Sequence, residues 1–228
     1  DALELGLKTD LMEGRMRANI SAFMYDYENL QFQSTDPDIY RGGVANIPQS
    51  EMSGFELELI GILSDTLSMD LRISTLDTEI TADYEALDNI NSELYFFGEE
   101  PERYELRENI KGNSLAKSPE FTANFGLQYN GVLKSGLPVK STLEVIHRDD
   151  FQQRVFNSPF VDQVESYTIV NLTYSTETSD SSGVDFMILN AFDKDGVNSA
   201  MTDVFGVAGT GIELIPPRQF IMRVRKNF

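Results

Sequence analysis

His147, the single histidine, is the residue best suited to proton transfer near neutral pH, and Arg148, Asp149 and Asp150 follow it directly. The sequence contains no serine nucleophile elbow, no glycine-rich phosphate loop and no second metal ligand at a suitable spacing. We therefore predict no catalytic residue, no cofactor and no enzyme activity. His147 is expected near the outer end of a strand.

Residues 192–203, FDKDGVNSAMTD, place acidic side chains around a glycine, as calcium-binding loops do. The match to such a loop fails, because the D-x-[DN]-x-[DN]-G spacing is incomplete and no glutamate closes the loop. Aspartate and glycine in this arrangement favour a bend. The segment is therefore predicted to be a turn, and no metal site is expected.

Residues 84–119 form the longest stretch without a strand pattern, and they carry eight acidic and four basic side chains. Long connections of this kind are often functional. As an external loop, the segment would contribute to substrate capture. Its candidate ligand-binding residues are Tyr95, Phe96, Phe97, Arg103 and Tyr104. The alternative is a solvated loop that only shields the fold beneath it.

The composition excludes several classes of protein. The 228 residues carry a net charge of −19, which disfavours nucleic acid as a partner because phosphate contacts require lysine and arginine. Cysteine is absent, which excludes disulfide scaffolds and thiol chemistry. No run of 18 apolar residues occurs, so any membrane role must use strands.

The dominant pattern is an alternation of apolar and polar residues, which predicts an all-β chain. In the clearest run, Phe121, Ala123 and Phe125 alternate with Thr122 and Asn124. Nine such runs occur: 3–8, 15–27, 54–65, 67–81, 120–130, 139–156, 166–177, 184–192 and 219–228. They predict nine antiparallel strands in up-and-down order.

The connections between these runs alternate in length. Short connections are predicted at MEGR, SDTL, KSGLP and TSDSSG, and long ones at 33–50, 82–118, 152–165 and 193–217. Outer-membrane barrels have this alternation, with tight periplasmic turns and long external loops. Nine strands leave the first and last parallel, whereas closure of a bacterial barrel needs an even count. We therefore expect one sector of a larger transmembrane β-barrel, with more chain before residue 1.

Five segments, in this order, resemble the barrel of TonB-dependent outer-membrane receptors. They are ELGLKTDLMEGRMRANISAFMYDYENLQ, NIPQSEMSGFELEL, LAKSPEFTANFGLQY, MILNAFDKDGV and PPRQFIMRVRKNF. The resemblance implies that residues 1–228 are the last nine strands of a 22-stranded barrel in the bacterial outer membrane. The plug domain and the earlier strands would lie upstream, outside this chain.

This resemblance also implies a function for the intact receptor. It would take up a ferric siderophore, cobalamin or an oligosaccharide, with energy supplied by TonB through the missing N-terminal part. Outer-membrane lipid and lipopolysaccharide would surround the barrel. The C-terminal strand resembles the signal read by the barrel-assembly machinery, with Phe228, Val224, Met222 and Phe220 on its lipid-facing side. Lys226 stands where the family usually has an aromatic residue.

In a barrel, the polar side of each strand faces a wet lumen and the plug. The predicted lumen-facing residues are Glu56, Glu58, Asp70, Arg72, Lys140, Glu144, Arg223 and Arg225. Rings near strand ends would form an aromatic girdle at the membrane interfaces. These rings are Phe23, Tyr25, Tyr27, Phe121, Tyr129, Tyr167 and Tyr174.

Two alternatives remain open at this stage. The first is a soluble or surface-exposed all-β binding module with a sandwich fold, in which two apolar faces pack against each other. The second is a passive porin of the same barrel architecture. The direction in which the apolar face points separates the sandwich from the two membrane proteins.

Overall fold

A computed structural model of the chain describes residues 1–36, 41–88, 90, 107–178, 182–202 and 209–226. The strands are β1 (Ala2–Leu11), β2 (Met16–Asp36), β3 (Arg41–Ser64), β4 (Leu67–Ile80), β5 (Glu85–Leu87), β6 (Arg107–Asn109), β7 (Phe121–Val132), β8 (Pro138–Arg148), β9 (Phe151–Gln152), β10 (Gln163–Val164), β11 (Tyr167–Glu177), β12 (Ser182–Leu189), β13 (Val197–Thr202), β14 (Thr210–Leu214) and β15 (Gln219–Lys226). No helix within the described residues is long and apolar enough to cross a membrane.

Nine strands form one antiparallel sheet in the order β1-β2-β3-β4-β7-β8-β11-β12-β15. Each strand pairs with the next one along the chain once the small strands of the connections are set aside. This arrangement confirms the prediction of nine up-and-down strands. The sheet is open, since β1 and β15 lie at opposite edges and do not pair with each other.

The prediction that residues 33–50 form a loop is wrong. The strands β2 and β3 continue through this region and pair as far as Asp36 and Arg41. The reason is a tertiary contact, because Leu30 and Phe32 of β2 and Ile47 of β3 pack into a buried cluster with the other long connections. The sequence QFQSTD at the end of β2 shows little apolar periodicity, so the pattern gave no sign of the extension.

The other three long connections contain small ladders of their own. The strands β5 and β6 pair within the first, β9 and β10 within the second, and β13 and β14 within the third. The predicted strand over 139–156 is therefore two elements, because β8 ends at Arg148 and β9 begins at Phe151. The bend between them lets the chain leave the main sheet.

No second layer packs on the apolar face of the sheet within the described residues. Leu5 on β1 is 77% exposed and Val224 on β15 is 68% exposed, although both belong to the apolar side of their strands. Most of the buried apolar residues lie instead in or beside the long connections, although Ala18 on β2 and Val139 on β8 are also buried. A sandwich would cover this face with a second sheet, so the fold differs from the sandwich alternative.

Candidate functional site

The strand register places all eight predicted lumen residues on one face of the main sheet. Glu58 on β3 lies opposite Arg72 on β4, and Asp70 on β4 lies opposite Gly126 on β7, which lies opposite Glu144 on β8. Directly opposed residues of an antiparallel pair point to the same side, and so do alternate residues of one strand. Glu56, Lys140, Arg223 and Arg225 follow by the same rule. We call this side the polar face; its assignment to the lumen stays a prediction.

The polar face is nearly balanced in charge, although the whole chain carries a net charge of −19. The parts of β2 after Tyr27 and of β3 before Ser50 are left out of this comparison. In the rest of the main sheet, the carboxylates on the polar face are Glu4, Asp10, Glu56, Glu58, Asp70, Glu144, Glu177 and Asp185. Its basic groups are Lys8, Arg17, Arg72, Lys140, Arg148, Arg223 and Arg225. The excess of negative charge therefore lies elsewhere in the chain.

Hydrogen bonds link charged groups across the strands of this face. Glu58 accepts from Asn19 Nδ2 at 2.7 Å and from Arg72 Nε at 3.3 Å, and Arg72 Nη1 also donates to Asp70 at 3.3 Å. The side chain of Arg72 is 55% exposed. These pairs are hydrated, which suits a wall that borders water.

The polar face contains a groove. It has a volume of about 670 Å³, crosses the face from β1 to β8 and is lined by Glu4, Lys8, Glu58, Arg72 and Arg148 among others. The side chains that border it come from residues far apart in the chain.

Three glycines make room for larger side chains on neighbouring strands of the polar face. A methyl group added at Gly54 would lie 2.5 Å from Phe23 Cζ. A methyl group at Gly126 would likewise meet the Asp70 side chain, and one at Gly183 would meet the Arg225 side chain. Sequence reasoning missed these pairs. The available signal was a glycine inside a strand pattern, which often marks a close approach.

The aromatic girdle is only partly supported by the register. Phe121, Tyr129 and Tyr174 belong to the apolar side of their strands. In contrast, Phe23 lies opposite Glu4 and Gly54, which are polar-face positions, and stacks on Tyr25 with ring centroids 5.2 Å apart. Tyr27 and Tyr167 also belong to the polar face.

On the apolar face, a row of acidic residues ends the apolar region on one side. Asp26 on β2, Glu51 on β3 and Glu79 on β4 lie opposite one another, and all three are exposed. Below this row, the apolar face of β2 runs from Met24 to Met16, nine positions that at a rise of ~3.3 Å and a tilt of ~40° span about 20 Å. This height is close to that of the apolar band of an outer-membrane barrel, about 25 Å.

The predicted assembly signal lies on β15, at one edge of the sheet. Phe220, Met222 and Val224 share the apolar face and are exposed. Phe228 lies outside the described residues. The candidate ligand-binding residues Tyr95, Phe96, Phe97, Arg103 and Tyr104 also lie outside the described residues, so their role stays a prediction.

The long connections form a body of their own, which we call the loop cap and define as the described residues of 80–118, 149–165 and 191–216. The extension of β2 and β3 over residues 30–36 and 41–50 is called the β2–β3 arm. The larger apolar cluster of the cap also includes residues of this arm and contains Ile47, Ile80, Ala86, Ile110, Leu115, Val155 and Phe156. Thr78 Oγ1, on the polar face of β4, accepts a hydrogen bond from the backbone of Leu115 at 3.0 Å. The cap therefore sits on the polar-face side, at the end of the sheet with the long connections.

A buried ion network lies inside the cap. Arg154 is 9% exposed and donates to Asp162 from Nε at 2.5 Å and to Asp88 from Nη1 at 2.6 Å. Burial acts to lower the pKa of Arg154, but the hydrogen bonds to the two carboxylates and their charges outweigh burial and raise it above its ordinary value. Nothing in the sequence pattern links these three residues.

His147 lies one residue before the end of β8, where the sequence predicted a strand end. Its Nδ1 lies 2.7 Å from Thr168 Oγ1, and its Nε2 lies 3.3 Å from Asp149 Oδ1. The ring also contacts Phe121, with centroids 5.7 Å apart. These contacts hold the imidazole near the end of β8.

Residues 190–196 form a turn, which confirms the prediction for the first part of FDKDGVNSAMTD, but the prediction is wrong for the second part, because Val197–Thr202 form β13. Asn190 and Asp193 have positive φ angles, and Asn190 Nδ2 donates to the carbonyls of Lys194 and Pro216. Asp193 accepts from the backbone N–H of Arg218 at 2.9 Å. Within the described residues, no group of three or more histidine, cysteine or acidic side chains could hold a metal ion.

Comparison with known proteins gives one family and several similar structures. The family described as TonB dependent receptor-like, beta-barrel matches residues 1–190. The siderophore receptor PiuA from Acinetobacter baumannii has a TM-score of 0.72 at 20% identity, over 98% of this chain and 28% of that one. The ferric yersiniabactin uptake receptor FyuA from Yersinia pestis has a TM-score of 0.74 at 14% identity, over 100% of this chain and 29% of that one.

The unliganded ferric citrate transporter FecA has a TM-score of 0.67 at 15% identity, over 98% of this chain and 30% of that one. At these identities the likeness shows a shared fold, and the chain spans less than a third of each of these solved receptors. No curated protein sequence matches significantly. Since the family match covers most of its length, this chain belongs to the TonB-dependent receptor-like β-barrel family, whose members lie in the outer membrane of Gram-negative bacteria.

Proposed function

We propose that residues 1–228 are the C-terminal part of the barrel of a receptor that takes up a scarce nutrient with energy supplied through TonB. The observation that carries the proposal is the division of one continuous sheet into a charged face with a groove and an exposed apolar face. In a bilayer the apolar face contacts lipid, and the charged face borders a hydrated interior. The eight polar-face residues then line the lumen and face a plug formed by an earlier part of the chain.

The nutrient is a ferric siderophore, cobalamin or an oligosaccharide, and the receptor performs no catalysis. Siderophore uptake is supported by PiuA, a siderophore receptor, and by FyuA, a ferric yersiniabactin uptake receptor, which have the same fold over this region. The loop residues Tyr95, Phe96, Phe97, Arg103 and Tyr104 remain candidates for contact with the nutrient. Lipopolysaccharide surrounds the outer leaflet end, and the barrel-assembly machinery recognises β15 with Phe228.

The test is uptake by the intact receptor in living cells. Cells with and without the receptor gene are given radiolabelled ferric siderophores, cobalamin or oligosaccharides, with and without an uncoupler of the proton-motive force. We expect receptor-dependent accumulation of one probe that the uncoupler abolishes. Accumulation that is receptor-dependent but insensitive to the uncoupler identifies a passive porin and contradicts the proposal.

A second measurement separates membrane insertion from the sandwich alternative. The receptor is expected to fractionate with outer membranes and to need detergent for extraction, because its apolar face has no protein cover. A monodisperse form that unfolds cooperatively in detergent-free buffer would rule out the membrane assignment.

A further inference from the structure

The connection 149–165 touches both other parts of the loop cap. Val155 and Phe156 pack with Ile80 and Ile110 of the neighbouring connection, and at its other side Phe151 and Val164 pack with Ala200. We propose that this connection joins the external segments into a single body that is ordered before any nutrient binds, and that Arg154 and Arg148 are its positioning residues. The proposal concerns the coupling of loops and does not depend on what the receptor transports.

The first junction is ionic and buried. Asp88 is 2% exposed and Asp162 is 0% exposed, and both carboxylates bond to Arg154. Asp162 also accepts from the backbone N–H of Ser158 at 2.9 Å. A buried charge is stable only when an opposite charge compensates it. Separation of the two connections would take the Arg154 charge away from Asp88.

Reciprocal amide contacts reinforce this junction. Asn113 Nδ2 donates to the carbonyls of Val155 and Phe156 at 2.9 and 3.1 Å. In return, Asn157 Oδ1 accepts from the backbone N–H of Ser114 at 2.8 Å, and Asn157 Nδ2 donates to the Ser114 carbonyl at 3.1 Å. Asn157 has a φ of 53°, a left-handed conformation that asparagine tolerates. Each connection thus satisfies backbone groups of the other.

The second junction is built on Arg148, six residues before Arg154. Its guanidinium carbon lies 4.6 Å from the ring centre of Phe151 and 4.5 Å from that of Tyr167. Its N–H groups donate to the carbonyls of Glu165 at 3.0 Å, Val197 at 2.9 Å and Asn198 at 2.6 Å. The same residue therefore binds the end of one connection and the start of β13 in the next.

Because Arg154 lies on the connection 149–165 and Arg148 of β8 contacts Phe151 and Glu165 of the same connection, we expect the cap segments to loosen together. A change that opens the Arg154 junction is expected to free residues 110–117 as well as 150–158. If the loops moved independently, a change in one loop would alter hydrogen exchange in that loop and leave the exchange rates of the others unchanged. This difference makes the proposal measurable without a ligand.

The experiment is hydrogen–deuterium exchange of the intact receptor in detergent, without added nutrient. In wild type, we expect slow exchange in both 110–117 and 150–158. In the variant Arg154→Met, exchange in both segments should accelerate together by about tenfold or more, because two buried carboxylates lose the positive charge that compensates them. The matched control is Lys111→Gln, which removes the exposed pair of Lys111 with Asp83 at 3.0 Å in the same connection. It should change exchange by less than about twofold, as exposed pairs contribute little.

The variant Asn157→Ala keeps the proposal testable if Arg154→Met fails to assemble. It removes the contacts to Ser114 without burying a charge, so acceleration in 110–117, a segment that is distant in sequence, supports the junction. Acceleration restricted to 150–158, or no acceleration in either segment, contradicts the proposal. So does wild-type exchange in these segments that becomes slow only after a nutrient is added.

Discussion

Arg72 on β4 and Arg154 in the loop cap each contact two carboxylates, but their surroundings differ. The Arg72 side chain is 55% exposed beside Glu58 and Asp70, whereas that of Arg154 is 9% exposed between Asp88 and Asp162. Water screens the first group of charges and is excluded from the second. The comparison teaches that the sheet uses charges to keep one face hydrated, while the cap uses them to hold chain segments together.

The two regions also differ in what holds the backbone. In the sheet, continuous ladders join neighbouring strands, and the side chains of the apolar face need no partner within the protein. In the cap, the ladders are two to six residues long, so burial of side chains must supply the stability. Substitutions of similar chemistry should therefore have larger effects in the cap than in the sheet.

The largest effect is expected for Asp162→Ala. It leaves Arg154 buried with part of its compensation lost, and such a loss typically costs about 3–5 kcal/mol. The free energy of local opening, measured by hydrogen exchange of residues 150–158 in the intact receptor, is expected to fall by this amount. The control is Asp70→Ala beside Arg72, for which less than about 1 kcal/mol is expected. Equal effects at the two positions would remove the distinction between cap and sheet.

A slightly smaller effect is expected for Ile110→Ala. Ile110 is 0% exposed in the cap, and removal of a buried isoleucine side chain costs about 2–5 kcal/mol through lost transfer energy and the cavity left behind. The comparison is Ile60→Ala on the polar face, where the side chain is 46% exposed. Exchange rates near each position provide the measurement, and we expect no more than a small change at Ile60. An equal loss at Ile60 would show that this position is covered in the intact receptor, as contact with a plug would do, and would remove the difference between cap and sheet at this pair.

Third in size is the cost of a charge on the apolar face. Leu71 lies near the middle of β4 on that face, and arginine at the bilayer midplane costs about 2–4 kcal/mol. Leu71→Arg should lower the free energy of unfolding of the receptor in lipid vesicles, measured by denaturant titration. Ser74→Arg, on the polar face of the same strand, serves as the control and should change it little. If Leu71→Arg were tolerated as well as the control, the apolar face would not contact lipid.

The smallest effect concerns pH and an exposed pair in the cap. Hydrogen bonds from Lys111 and Asn109, with the Lys111 charge, hold the pKa of Asp83 below its usual range. A lowered folded-state pKa contributes stability above the unfolded value of about 4, and this contribution is lost as pH falls through the folded value. The wild type should therefore exceed Lys111→Gln slightly in thermal midpoint at about pH 5, with the difference vanishing near the folded pKa. A difference that grows as pH falls would contradict this sign.

Much of the main sheet could be predicted from the local pattern of apolar and polar residues. The alternation of Phe121, Thr122, Ala123 and Asn124 assigns side chains to two faces, because successive residues of a strand point to opposite sides. Nine such runs with short turns predict the number of strands and their up-and-down order, since strands that are consecutive in the chain usually pair with each other. The same alternation is sufficient to group the eight polar-face residues.

The errors came where distant segments meet. The β2–β3 arm has the local pattern of a loop, because Leu30, Phe32 and Ile47 acquire their apolar surroundings from other connections. The position of the Phe23 ring over Gly54 depends on the register between β2 and β3. Local propensity depends only on residues that are close in the sequence. Contacts between distant segments therefore could not be predicted from it.

By itself, the amino-acid sequence determined the class of fold, the number of main strands and the face to which each side chain belongs, since a period of two is a property of neighbouring residues. Only the tertiary structure decided that Arg154 meets Asp88, 66 residues away, and that three connections share one cap. The physical reason is that burial and charge compensation are properties of groups brought together by folding, and their energies depend on water excluded by the assembled whole.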